Sequence, residues 1–347
     1  MILNPETIRR WHRFKSLKRG YYSLILISLL ILASLFAELW INNRALLVAY
    51  NGKLYLPTYG DYLPGSTFGE DYTWETNYRH LAEKFKAEQS NNFVVLPLIP
   101  FSPFENDFID GAYPPYAPST ASQHYLGTDT SGRDILARLI YGFRIAILFS
   151  LFLLAISYVT GVIIGALMGY FGGKFDLITQ RIIEILSNIP GLYVIMIIAS
   201  IVTPNFWSLA LLLAAFSWMG LTWYMRTETY REVNREYVLA ARSLGASHYR
   251  IIVQHILPNT VSILITFFPF SIAAGITALT SLDYLGFGLP APTPSWGELL
   301  QQGTDNLEYQ WITASAVTAL SLVLILVNFI GEAVREAFDP KTHTYYE

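Results

Sequence analysis

The chain has 347 residues, 53% hydrophobic and 14% charged, with mean hydropathy +0.36 and formal net charge -3. That balance excludes an ordinary soluble globule and describes a polytopic membrane protein. It contains no cysteine, which excludes disulfides, thiol catalysis and cysteine metal sites.

Six bases (Arg9, Arg10, Arg13, Lys15, Lys18 and Arg19) stand against the single acid Glu6 in residues 1–20. Tyr21 to Trp40 is then an apolar run of about the 20 residues that cross a bilayer. A cleavable signal is the alternative reading, with small residues between Ala33 and Ala37, but Phe36 to Trp40 is a poor cleavage region. The expectation is a basic cytosolic N-terminus, residues 1–20, and a first span, residues 21–41.

Residues 42–123 are different material. Asn42 to Ser122 holds 5 bases, 9 acids, many tyrosines and repeated prolines. Leu56-Pro57, Pro97 to Pro103 and Tyr113 to Pro118 are turn and extended signals, and only Thr76 to Gln89 reads as helix. We expect an extracytoplasmic insert of short strands and loops, without the glycine-rich loop or ligand spacing of a catalytic domain. Residues 124–142 then read as a turn and an interfacial helix. Ser131 caps it with Asp134 three residues on, and Ile135, Leu136, Leu139, Ile140 and Phe143 form its apolar face. A calcium turn is the alternative for its two aspartates, but the spacing is not that of an EF-hand.

Residues 143–331 read as a five-helix core. The spans expected are Phe143–Tyr170, Ile185–Thr203, Phe206–Met225, Thr260–Ser281 and Trp311–Ile330, making six with the first. Ser157, Gly161, Gly165 and Gly169 recur every fourth residue, the spacing that lets helix backbones pack closely in lipid. Gly172 to Asp176 reads as a turn, not a phosphate loop. Pro190 and Pro269 are kink signals. Residues 332–347 form a short tail. On this topology 15 of 23 bases lie inside, and the exceptions are the insert plus Arg133, Arg138 and Arg144.

Between two of these spans lies a polar, charged stretch, residues 226–259. Val233, Tyr237, Ala240, Ala241 and Leu244 share one helical arc, with Arg231, Arg235 and Arg242 opposite. Gly245 reads as a helix-ending cap, followed by a short helical run, Ser247 to Ile256, stopped by Pro258. An amphipathic loop lying on lipid headgroups is one reading of this pattern.

The residues add to the pattern. A-A-R-S-L-G, nine residues, then H-I-L-P-N resembles the EAA loop of ABC-importer permeases, which docks into the ATPase subunit. Leu239 stands where the name-giving acid would be, with Glu236 a turn earlier. H-Y-L-G-T-D-T-S-G-R-D, from His124, resembles the signature before the second span of oligopeptide, dipeptide and nickel permeases. L-G-F-G-L-P-A-P-T-P-S-W-G-E-L-L resembles the loop before their last span. The long insert, with N-G-K-L-Y-L-P and T-F-G-E-D-Y, is most similar to the microcin C-type peptide permease, as is the closing G-E-A-V-R-E-A-F-D-P.

The resemblance implies an all-α polytopic protein of MetI-like fold in the bacterial inner membrane, both ends cytosolic. It implies a second, different permease subunit, cytosolic ATPase domains that carry ATP and Mg, and an extracytoplasmic peptide-binding protein. No cofactor, metal or nucleic acid is expected in this chain, and no catalytic residue. The ATPase-coupling residues it implies are Glu236, Tyr237, Ala240, Ala241, Ser243, Leu244, Gly245, Ala246, Leu257 and Pro258. Ser217, Trp218, Ser271, Thr277 and Thr280, polar or amphipathic groups in apolar spans, are candidates for the translocation path, with interhelical packing as the alternative. No span carries an ionisable group near its middle, which disfavours an ion-driven transporter. A non-transporting scaffold that uses the insert as a binding module is the rival of another class.

Overall fold

The computed structural model describes residues 5–88, 91–109 and 111–338. The tail expected at residues 332–347 therefore lies outside the described residues beyond Phe338, as does the end of G-E-A-V-R-E-A-F-D-P. Twelve α-helices are described: α1 Pro5–Ser16, α2 Lys18–Leu35, α3 Tyr78–Ala87, α4 Ile135–Phe171, α5 Gly173–Ser187, α6 Gly191–Ile201, α7 Phe206–Val233, α8 Glu236–Ser243, α9 His248–Arg250, α10 Leu257–Tyr284, α11 Trp296–Asp305 and α12 Gln310–Phe338. Three strands, β1 Leu47–Tyr50, β2 Lys53–Tyr55 and β3 Phe93–Val95, form an antiparallel sheet in the order β2-β1-β3.

Five helices (α2, α4, α7, most of α10, and α12) are long and apolar enough to cross a membrane. The sixth span expected from the sequence is bent at its proline. Ile185 to Thr203 is not one straight helix: α5 and α6 meet at 63° across a short break that contains Pro190. At 1.5 Å per residue, α6 with its 11 residues reaches only about 16 Å, half the hydrocarbon thickness. Together the two are long and apolar enough to cross only as a broken span. Only Gly172 of the expected turn is outside a helix, and α5 starts immediately after it. A second difference is α4, which runs unbroken through the boundary expected at residue 143 for about 55 Å.

The described residues fall into two units, one drawn from Met1–Ile27, Ala146–Pro290 and Leu322–Glu347, the other from Ser28–Ile145 and Ala291–Ser321. In the first, the ridge along α4 lies against α7. A Cβ at Gly161 would stand 2.9 Å from the Trp218 carbonyl oxygen, at Gly165 2.6 Å from that of Thr222, and at Gly169 2.5 Å from Thr229 Cβ. Backbones approach this closely only where side chains are absent, and in lipid such packing is the main source of helix association. Gly165→Leu is therefore expected to separate the two helices, at a cost of roughly 1–3 kcal/mol or more. A fall in melting temperature of the detergent-purified protein, with Gly220→Leu nearly silent, checks it. No atom lies within 4 Å of the Cβ position at Gly220.

The second unit holds the insert. Asn51-Gly52 joins β1 to β2 with both φ angles positive (48° and 78°), the geometry of a tight hairpin turn. Ala45, Val48, Phe68, Tyr78, Leu81 and Phe85 form a buried core of its own. His124 is fully buried, stacked on Phe101, with its ring nitrogens 2.9 Å from Asp134 Oδ2 and 3.2 Å from Asp107 Oδ2. Burial alone would lower its pKa, but the hydrogen bonds to Asp107 and Asp134 outweigh it and hold the imidazole above its ordinary value of 6.5. Its partner Asp107, bonded to His124 and beside Arg79, is held below the usual carboxylate value.

The sign of the pH dependence follows. A raised histidine stabilises fully below about pH 6.5 and loses that contribution as pH rises through the folded pKa. The depressed Asp107 stabilises above about pH 4 and loses its contribution on further acidification. Melting is expected to be higher near pH 5.5 than at pH 8.5, with His124→Gln removing the difference, which a paired thermal scan reads directly.

The same unit joins two sequence signatures. Arg138, fully buried, donates to the carbonyl oxygens of Pro103 at 3.0 Å and of Pro292 and Thr293 at 3.4 Å. It also pairs with Glu298, which accepts a second bond from Arg133 at 2.6 Å. Asp129 Oδ2 takes Arg133 Nε at 2.7 Å, and Trp296 Nε1 donates to the Leu139 carbonyl at 2.9 Å. The start of α4 with the loop before it, and the start of α11 with the loop before it, are thus one polar cluster. Arg133 and Arg138, exceptions to the charge topology, are buried inside it.

Candidate functional site

The expected amphipathic helix is broken in two. α7 ends at Val233, Arg235 turns the chain, and α8 starts afresh at Glu236. The single arc from Val233 to Leu244 therefore does not exist as one face. Val238, fully buried, anchors α8 instead, packed with Tyr170, Ile251 and Ile256. Sequence periodicity missed it because the break shifts the phase of the pattern.

Gly245 lies at φ +81°, in the left-handed region. Its N–H donates to the Arg242 carbonyl and that of Ala246 to Ala241, both at 3.0 Å, the paired bonds of a Schellman cap. Ser247 Oγ accepts from the Arg250 N–H at 3.3 Å and starts α9. Pro258 does not stop the helical run. A π-helical turn, Ile251–Ile256, leads directly into α10, and Pro258 occupies its first turn, where a missing N–H goes unneeded.

Tyr237 braces the loop. Its hydroxyl donates to Glu232 Oε2 at 2.6 Å and accepts from Asn259 Nδ2 at 3.1 Å, while Asn259 Nδ2 also donates to the His255 carbonyl at 2.7 Å. Burial and the bond to Glu232 push its pKa up to about 12, so it stays a donor at any physiological pH. Tyr170 and His248 bond at 2.7 Å, tying α4 to α9.

Of the ten residues singled out in this loop, Glu236, Ala240, Ser243, Leu244, Gly245 and Pro258 are exposed and Ala241, Ala246 and Leu257 half-buried. Tyr237 is at the edge, its ring exposed by 39% and its hydroxyl turned into the brace. Leu244 is 88% exposed, with Leu239 and Tyr249 exposed nearby. Leu239, Leu244 and Tyr249 are thus an exposed apolar set on a charged loop. Tyr249 was not legible as part of it, since no periodicity relates it to α8.

A cavity of about 310 Å³ lies between α4, α7 and α10. Ser217 and Ser271 line it, with Ser157 contributing from the packing ridge, and Ser157 Oγ and Ser217 Oγ are 2.5 Å apart. The other path candidates are elsewhere. Trp218 packs beside Met168, Ile183 and Met219, Thr277 is exposed and bonds its own helix at Ala273, and Thr280 is buried outside the lining. Two tyrosines were missed: Tyr158, 3.3 Å from Ser271 Oγ, and Tyr224, its ring tilted against Phe267. A phenol in an apolar span was the available signal.

Residues 161–344 match the family described as binding-protein-dependent transport system inner membrane component. The chain belongs to this family. Its members are multi-pass inner-membrane permeases, in keeping with the five or six spans described. The permease is 44% identical over 338 residues to the inner membrane ABC transporter permease protein YejE of Escherichia coli, covering 97% of this chain and 98% of that one. It is 40% identical to the peptidoglycan transport system permease protein YejE of Agrobacterium fabrum, over 97% and 94% of the two chains. Against the oligopeptide transport system permease protein OppC of Haemophilus influenzae, identity is 34% over 70% of this permease and 78% of that relative. The family match begins at Gly161 and so contains the glycine ridge from there, the loop at 226–259 and α10 to α12, but not the insert.

Proposed function

We propose that this permease carries peptides across the bacterial inner membrane in an ATP-driven importer, both of its termini cytosolic. Its coupling element is the loop 226–259, and the energy is supplied by ATPase domains on partner chains, which hold ATP and Mg. A second, different permease chain completes the pathway, and an extracytoplasmic peptide-binding protein delivers cargo. The single observation that carries the reading is the Gly245-capped loop, which is internally braced yet presents Leu239, Leu244 and Tyr249 outward. The names of the relatives support peptide-like cargo, and the long insert supports the microcin C-type subgroup. The serine-lined cavity, with Tyr158 and Tyr224, is the proposed stretch of the translocation path within this chain.

Purification of the tagged chain in mild detergent, with co-eluting chains identified by mass spectrometry, tests the assembly. A second permease and an ATPase in fixed ratio are expected. Labelled-peptide uptake into proteoliposomes of that complex is expected to follow ATP and to survive collapse of the proton gradient. A lone chain that retains only envelope proteins would support the scaffold reading.

A further inference from the structure

Two cavities meet at the end of the spans where α1, the end of α7, the start of α10 and the end of α12 come together. The first, about 530 Å³, mixes charged and polar groups with apolar wall in similar measure. Among the described residues its charged lining is three guanidiniums, Arg10, Arg231 and Arg335, and one carboxylate, Glu228, which Arg231 holds at 2.8 Å. Ser262 and Thr266 add hydroxyls to its wall. The second, about 430 Å³, is almost wholly apolar, lined by Trp11, Phe14, Leu24, Ile265, Ile330 and Val334. Arg10 and Phe338 line both, and the Arg10 guanidinium stands 4.8 Å above the Phe338 ring, on the boundary between them.

The surroundings are those of a membrane surface. α1 places Arg9, Arg13 and Lys15 beside Ile8 and Trp11, which are 42% and 45% exposed, and turns Phe14 inward onto Ala333 and Ala337. A helix of that character lies in the headgroup layer, and basic pockets between spans at that depth fit anionic headgroups. An isolated phosphate or nucleotide would satisfy the first chamber and leave the second empty. A neutral lipid would satisfy the second and bring no negative charge to the basic first.

We propose that this paired cavity binds one anionic phospholipid from the adjoining leaflet. Its phosphodiester sits among Arg10, Arg231 and Arg335, and an acyl chain follows the groove past Trp11, Leu24 and Ile330. The site depends on the membrane reading of the chain and not on its cargo. It also touches the coupling loop: Asn259 lines the first chamber and bonds Tyr237, the brace of that loop. Lipid occupancy therefore bears on how firmly the loop is held.

The test is native mass spectrometry of the full chain, purified with its co-eluting partners and supplied with phosphatidylglycerol, phosphatidylcholine or inorganic phosphate. Wild type is expected to retain phosphatidylglycerol in preference to phosphatidylcholine. Arg231→Ala/Arg335→Ala is expected to lower that retention on the order of tenfold. Arg231→Lys/Arg335→Lys should restore most of it, and Arg181→Ala, on an exposed part of α5, should change nothing. Equal retention of the two lipids by wild type overturns the proposal whatever the variants do. So does a thermal shift produced by inorganic phosphate as large as that by phosphatidylglycerol. A chain ended after Phe338 that binds phosphatidylglycerol when the full chain does not would make the tail the occupant, and also overturns it.

Discussion

Gly245→Asp is expected to insert, fold and co-assemble, yet to reduce ATP-driven uptake to background. The fold should tolerate it, because no atom lies within 4 Å of the Cβ position and aspartate is among the few residues that enter the left-handed region readily. The local cost is about 1 kcal/mol. The cost at a docked surface is different. Gly245 is exposed beside Leu244, 88% exposed, so a partner that covers the loop would bury an unpaired carboxylate. Penalties of several kcal/mol are usual for that, enough to weaken docking by two or more orders of magnitude, roughly. Gly245→Asn separates charge from backbone, since it shares the left-handed tolerance and carries no charge, and it is expected to keep most of the uptake. Normal uptake by the aspartate variant, at normal protein level, would remove the loop from the coupling role.

Arg138→Ala is expected to be the most destabilising single change in the second unit. The guanidinium is fully buried and joins α4 to the insert at Pro103 and to the start of α11 and the loop before it, through three carbonyl oxygens and Glu298. Removing it leaves those carbonyls short of a donor and Glu298 with only Arg133 and Gln302, and breaking a buried pair from one side costs about 3–5 kcal/mol. Lysine should rescue only in part, because an ammonium cannot spread donors over that fan of acceptors. The check is a thermal melt of the purified chain, with limited proteolysis at the 286–295 loop. A variant that melts like wild type would mean that the cluster contributes little to holding these loops.

The residues that made the fold legible were those whose chemistry is local. Hydropathy found α2, α4, α7, α10 and α12 because a bilayer demands runs of that length. Gly245 was legible as a cap because few other residues sit at φ +81°. What was not legible depended on partners far along the chain. The break at Asn234-Arg235 has no glycine or proline to announce it, so the periodicity was carried straight through and Val238 was passed over. The π turn before Pro258 places Ile251 and Ile256 in one buried cluster with Tyr170, far back in the chain, and a proline read alone looks like a stop. The 63° bend needed the structure, since Pro190 permits a kink without giving its size. α11 was missed although Ser295 and Glu298 spell a capping box: Ser295 Oγ accepts from the Gly297 and Glu298 N–H groups at 3.1 and 3.3 Å. Of the path candidates only Ser217 and Ser271 reach the cavity, because facing across three helices cannot be read from one strip of sequence.

The chain's lack of cysteine allows one direct measurement of the central claim. A single thiol is introduced by Leu244→Cys, at the most exposed apolar position of the loop, and the assembled transporter is treated in membranes with a short bifunctional maleimide cross-linker. The account predicts one cross-linked product, to the ATPase chain, whose yield changes when ATP is bound. A thiol that labels freely with monofunctional maleimide but never cross-links to an ATPase, with or without nucleotide, would contradict it.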